Sequence, residues 1–130
     1  MPLTFEVDKK NRLVIARATG TLTLEDLFRY QFEAWSRKEL REYDELVDLT
    51  KAQEFTPASA DRIKDLSNLA AAMESNGIAT KLAIVAKGDF DFGLARMFQV
   101  FRELHPQSKK QVAVFRSADE ALTFLGANKG

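Results

Sequence analysis

Apolar and polar positions alternate from Leu3 to Asp8, with Leu3, Phe5 and Val7 on one face, which is the period of a half-buried strand. Lys9-Lys10-Asn11 is a short polar turn, and Leu13, Val14, Ile15 and Ala16 resume a strand over Arg12 to Thr19. Two strands across three residues predict an antiparallel hairpin, with Gly20 ending the second strand. Thr23, with Asp26 three residues on, opens a helix to about Arg37. Its apolar residues, from Leu24 to Trp35, sweep about 200° of a helical wheel, wider than one contact with a sheet needs.

A short strand follows at Glu45 to Thr50, entered from the polar segment Lys38 to Asp44. Thr56-Pro57 reads as an N-cap with proline at the first helical position, where a missing N–H costs nothing. The helix it opens carries Ile63, Leu66, Leu69, Ala70 and Met73 and stops at Ser75-Asn76-Gly77. Lys81 to Ala86 is a continuous apolar run, as in a strand covered on both faces. A third helix from about Phe90 to Leu104 has an apolar face of about 160°, with Phe92 on the opposite side and Pro106 beyond its end. Gln111 to Arg116 is the last strand. Ser117 and Glu120 form a capping box for a last helix, ended by Gly126.

The order ββαβαβαβα places helices between successive strands. That implies right-handed crossovers and a mostly parallel five-stranded sheet, with the first strand added antiparallel. The expectation is a single α/β domain over residues 1–130.

Composition removes chemistries rather than adding them. Nineteen basic residues balance nineteen acidic ones, in a chain that is 45% apolar. The balance also holds within each half, so neither a nucleic-acid footprint nor a polybasic membrane contact is expected. With no cysteine there are no disulfides, thiolates or sulfur-ligated zinc sites, and a lone histidine, His105, removes two-histidine metal motifs. No stretch approaches the roughly 18 apolar residues of a spanning helix. The first residues carry neither a basic segment nor a long apolar one, and the expected compartment is a reducing cytoplasm.

Three phrases carry a family likeness. They are Asp48-Leu49-Thr50 closing the third strand, Phe92-Gly93-Leu94-Ala95-Arg96-Met97-Phe98 in the third helix, and Val114-Phe115-Arg116 running into Asp119-Glu120-Ala121-Leu122 and Phe124-Leu125. Together with the element order they resemble the SpoIIAA-like family, which shares its fold with STAS domains and CRAL-TRIO lipid-transfer domains. The resemblance covers essentially the whole chain and rests mainly on core-packing patterns. It implies a small cytoplasmic bacterial domain, often dimeric, that binds rather than catalyses. STAS antagonists carry Asp-Ser-(Ser/Thr)-Gly after the third strand and are phosphorylated at its second hydroxyl residue. Here the stretch reads Thr56-Pro57-Ala58-Ser59-Ala60. Ser59 falls near the acceptor position, without the preceding Asp or the following Gly, and the same hydroxyl suits a helix cap.

Other chemical signals reduce to structural readings. Asp91-Phe92-Gly93 spells a kinase tripeptide, but the remaining kinase parts do not fit into this chain. Asp89 and Asp91 at a helix start complement its dipole, and the glycines form no phosphate loop. His105 sits at a helix end with no nucleophile or orienting acid at suggestive spacing.

The aromatic content carries the functional expectation. Phe28, Phe32 and Trp35 recur on the first helix, and Phe90, Phe98 and Phe101 on the third, in a chain with ten phenylalanines. These rings have three destinations: the core, a homodimer seam, or the wall of a cavity for an apolar ligand. In the first reading the apolar arcs of both helices form a homodimer contact, and the protein works through protein–protein interaction. In the second, Phe28, Phe32, Trp35, Phe98 and Phe101 line a site for a lipid-like molecule and Arg96 meets its head group. A third makes Ser59 the acceptor of a phospho-switch that controls a regulatory protein partner. No cofactor, metal or catalytic residue is expected.

Overall fold

The structure, a computed structural model, describes residues 2–75 and 77–126. Leu3–Asp8 (β1) and Leu13–Leu22 (β2) form the antiparallel hairpin, with Leu3 opposite Ala18 and Asp8 opposite Leu13. In its turn the Asp8 carboxylate accepts from the Asn11 backbone N–H at 3.1 Å and from its side-chain amide at 2.8 Å. Asp44–Phe55 (β3), Lys81–Val85 (β4) and Gln111–Phe115 (β5) then add in parallel, giving the sheet order β1-β2-β3-β4-β5. The expected architecture is present, element for element.

Two strands run further than their patterns indicated. Gly20 does not end β2. It adopts φ +64° between two register shifts in the β2–β3 ladder, and both strands continue, to Leu22 and Phe55. A bulge breaks the period-2 alternation without breaking the pairing, which is why the pattern stops short of the strand. A 3-10 helix, Lys38–Glu42, occupies the polar segment before β3 and buries Leu40.

The helices are Leu24–Trp35 (α1), Ala60–Ala72 (α2), Asp89–Leu104 (α3) and Ala118–Leu125 (α4). Thr23 and Asp26 form the reciprocal capping box of α1. The α2 cap is Ser59, not Thr56: the Ser59 hydroxyl accepts from the Arg62 N–H at 3.2 Å, and Thr56 and Pro57 lie before the helix begins. The stop read at Ser75-Asn76-Gly77 includes Asn76, which lies outside the described residues. Gly126 ends α4 at φ +72°.

Strands added one after another in a single direction, through right-handed crossovers, put every connecting helix on the same face. Accordingly α1, α2 and α3 share one face over Val14, Ala16, Val47, Leu49, Leu82 and Ile84. Helix α4 follows the last strand and folds onto the other face, where Ala121 and Leu125 pack on Leu13, Leu46, Ala83 and Val85. Alternation along β4 therefore serves two cores at once, and its apolar run is the consequence.

Candidate functional site

Three helices crowded over one sheet face leave a gap between them. The sheet supplies Val47, Leu49, Leu82 and Ile84 as its floor, and Phe55 also lines it. Leu24 and Leu27 of α1, Ile63 and Leu66 of α2, and Leu94, Ala95 and Phe98 of α3 form the walls. The space measures about 660 Å³, its open mouth included, and its surface is almost wholly apolar. Four side chains interrupt that surface with polar atoms: Tyr30, Gln31, Glu45 and Arg102.

Three of the four, Tyr30, Glu45 and Arg102, belong to a buried polar network in two adjacent parts, while Gln31 Nε2 donates to Met73 Sδ at 3.6 Å. The Tyr30 hydroxyl donates to Glu45 Oε2 at 2.6 Å and accepts from Trp35 Nε1 at 3.2 Å. Lys110 Nζ lies 3.4 Å from Glu45 Oε1 and 4.4 Å from the centre of the Trp35 ring. Arg102 pairs with Glu74 Oε2 through Nη2 at 2.8 Å and Nε at 3.0 Å. Glu74 also accepts from Ser108 Oγ at 2.5 Å and from the Lys109 backbone N–H at 2.8 Å. A smaller recess, lined in part by Trp35, Arg41, Glu74 and Lys110, adjoins the cavity and shares Gln31, Glu45 and Arg102 with it.

Burial and charge set the protonation of this network. Burial pushes the Tyr30 phenol well above 10.0, and the neighbouring Glu45 carboxylate pushes it the same way. Burial pulls Lys110 below its usual 10.5, more strongly than Glu45 holds it up. For Glu74, burial alone would raise the pKa. The hydrogen bonds from Ser108 and Lys109 together with the Arg102 charge outweigh it, and the carboxyl lies below 4.5. Buried charges that are paired and hydrogen-bonded in this way hold their geometry, because removing one partner strands the other.

The anticipated site residues disperse. Phe98 lines the cavity. Trp35 is buried at 3% exposure and borders the recess rather than the cavity. Phe28 is half-buried beneath Arg62, whose guanidinium sits 4.6 Å from the ring centre. Phe32 is 54% exposed. Phe101 is half-buried on α3, outside the cavity lining. Arg96 is exposed, bonds Gln99 Oε1 at 2.9 Å, and lies away from the lining. Ser59 is exposed at the head of α2. Other rings are spread as widely: Phe115 and Phe124 pack 5.5 Å apart beside α4, while Phe5 meets Tyr30 edge-on at 5.7 Å.

Parity and helical period mark part of the buried polar network in the sequence. Glu45 shares the face of Val47 and Leu49 in β3, and Lys110, one residue before β5, follows the parity of Val112. Arg102 stands one helical turn beyond Phe98, on the inward side of α3. A charge at a core position of its own element was the available signal.

Asp89 is paired with Arg116 at 3.0 Å, and His105 Nδ1 accepts from the Gln107 N–H at 3.2 Å. Among the described residues no group of three or more His, Asp or Glu side chains is placed to hold a metal ion. No helix among them is long and apolar enough to cross a membrane.

This cavity sits in a SpoIIAA-like fold. The structure is similar, at TM-score 0.59 and 17% identity, to an uncharacterised protein of the DUF3478 family with a SpoIIAA-like fold from Shewanella loihica PV-4, covering 95% of this chain and 93% of that one. No protein-family model matches the chain, and no curated protein does.

Proposed function

We propose that the protein is a non-catalytic binding module that takes a small apolar molecule into the gap between α1, α2, α3 and the sheet. The observation that carries this reading is an open, almost wholly apolar cavity that ends against fixed, buried polar side chains. Binding sites for small molecules have this constitution: mostly hydrophobic walls and a few placed polar groups. A reducing cytoplasm suits a chain without cysteine. Organic extraction of the purified protein followed by mass spectrometry tests the reading. A stoichiometric apolar compound supports it. Clean extracts, with no rise in melting temperature on adding long-chain alcohols or acids, would sink it.

A second reading, self-association as a homodimer, draws on α3. Phe90, Val100 and Leu104 are 53%, 49% and 73% exposed and lie on one side of the helix, with Met97 and Phe101 half-buried among them. The contact expected of both α1 and α3 therefore concentrates on α3, since α1 exposes Phe32 alone among its large apolar residues. Light scattering at micromolar concentration checks it: a dimer that Phe90→Asp with Leu104→Asp converts to monomer is the expected result, and a monomeric parent protein removes this reading.

A further inference from the structure

The cavity and its polar recess together specify more than an apolar ligand. Gln31, Glu45 and Arg102 border both spaces, so a molecule lying in the cavity meets polar atoms at that boundary. Facing the recess are the cations Arg41, Arg102 and Lys110 and the carboxylates of Glu45 and Glu74, which leaves one positive charge in excess. The carboxylates are well supplied with donors. Glu74 takes hydrogen bonds on both oxygens, from Arg102 and Ser108 on one and Lys109 N–H on the other. Glu45 takes the Tyr30 hydroxyl on one oxygen and faces Lys110 with the other.

The cations are not matched to the same degree. A guanidinium offers five N–H donors, and an ammonium three. Arg102, 3% exposed, spends Nε and Nη2 on Glu74 and the Ala70 carbonyl, while its Nη1 makes no hydrogen bond among the described residues. Lys110, 8% exposed, faces a carboxylate at 3.4 Å on one side and the Trp35 ring on the other. The Arg102 Nη1 donor, at the end of an apolar space whose recess carries one positive charge in excess, suits an anionic acceptor.

The geometry points to an amphiphilic monocarboxylate as the ligand class, with its hydrocarbon tail in the cavity and its carboxylate against Arg102, while Lys110 and Arg41 complete the positive surround. This deepens the binding-module reading and rests on it. Burial lowers the Lys110 pKa, and a bound carboxylate would raise it in the same way that Glu45 does.

Trp35, the chain's one tryptophan, borders the recess, so its fluorescence reports occupancy there. Decanoate, 1-decanol and acetate, titrated at neutral pH and followed by Trp35 emission and by calorimetry, separate the contributions. The expected result is decanoate binding at least tenfold tighter than 1-decanol, with no saturable acetate binding. Arg102→Gln should erase decanoate's advantage while leaving 1-decanol binding in place, and Arg41→Gln, at a half-buried side chain, should reduce it severalfold. The comparison in the unsubstituted protein stands even where Arg102→Gln fails to fold. Equal affinity for decanoate and 1-decanol overturns the carboxylate and leaves the cavity reading intact. Acetate binding as tightly as decanoate overturns the tail. If neither long-chain probe binds, the cavity reading falls with it.

Discussion

The Tyr30 hydroxyl donates a 2.6 Å hydrogen bond to Glu45 Oε2 and so ties α1 to β3 across the interface between helix layer and sheet. Glu45 is 5% exposed, and a carboxylate at that depth is tolerable only with its lone pairs engaged. Tyr30→Phe keeps the ring packed and removes the donor. A hydrogen bond to a charged group contributes about 1.5–3 kcal/mol, so urea unfolding should show a loss of that size at an unchanged slope. A loss under about 0.5 kcal/mol would mean that water replaces the phenol and the bond is not structural.

Stability should fall as pH drops through the ordinary carboxylate range and below it. The folded pKa of Glu74 lies below its ordinary 4.5, and that of Asp26 below 3.8, where the Thr23 and Arg29 contacts outweigh burial. An unfolded chain therefore takes up these protons first as pH falls. The stabilisation is complete above the ordinary values and disappears as pH drops through the folded ones. Chemical denaturation between pH 6 and about pH 3 should show this decline, and Glu74→Gln should flatten it. At the alkaline end the sign reverses. Tyr30, raised well above 10.0, stabilises the fold below that value and ceases to as pH climbs past it.

Ser59 distinguishes a cap from a switch. Its hydroxyl accepts from the Arg62 N–H at the head of α2. Ser59→Ala should cost about 0.5–2 kcal/mol, whereas Ser59→Asp, which caps equally well and complements the dipole, should unfold at nearly the parent midpoint. Equal destabilisation by both would show that the hydroxyl does not cap α2.

Gly20 holds the bulge at φ +64°, with nothing within 4 Å of where a Cβ would stand. Gly20→Ala therefore meets no clash, and its cost is backbone strain alone, about 1–2 kcal/mol in the melting analysis. Full parent stability in that variant would mean that the β2–β3 ladder re-registers without the bulge.

Element types and their order were readable because the chain's periods are clean. The Leu3–Val7 alternation, the Thr23–Asp26 capping box and the Gly126 stop all formed as their local chemistry dictates. The lengths of β2 and β3 were not readable, since Gly20 is a strand terminator by local rules and a bulge only by virtue of its neighbour. Thr56 and Ser59 are comparable caps in sequence, and the choice of Ser59 came with the extension of β3 to Phe55.

The candidate site divides along the same line. Local sequence determined which faces of α1 and α3 are apolar, because helical period is written into nearest neighbours. Which rings reach a cavity was decided by how three helices share one sheet face. That arrangement drew Phe98 inward, left Phe32 and Phe90 outside, and enclosed Glu45, Arg102 and Lys110 as buried, paired charges. Partners 28 and 65 residues apart in the chain meet there, Arg102 with Glu74 and Lys110 with Glu45, and no local rule couples positions so distant. Periodicity assigns a residue to a face, and only packing decides what that face meets.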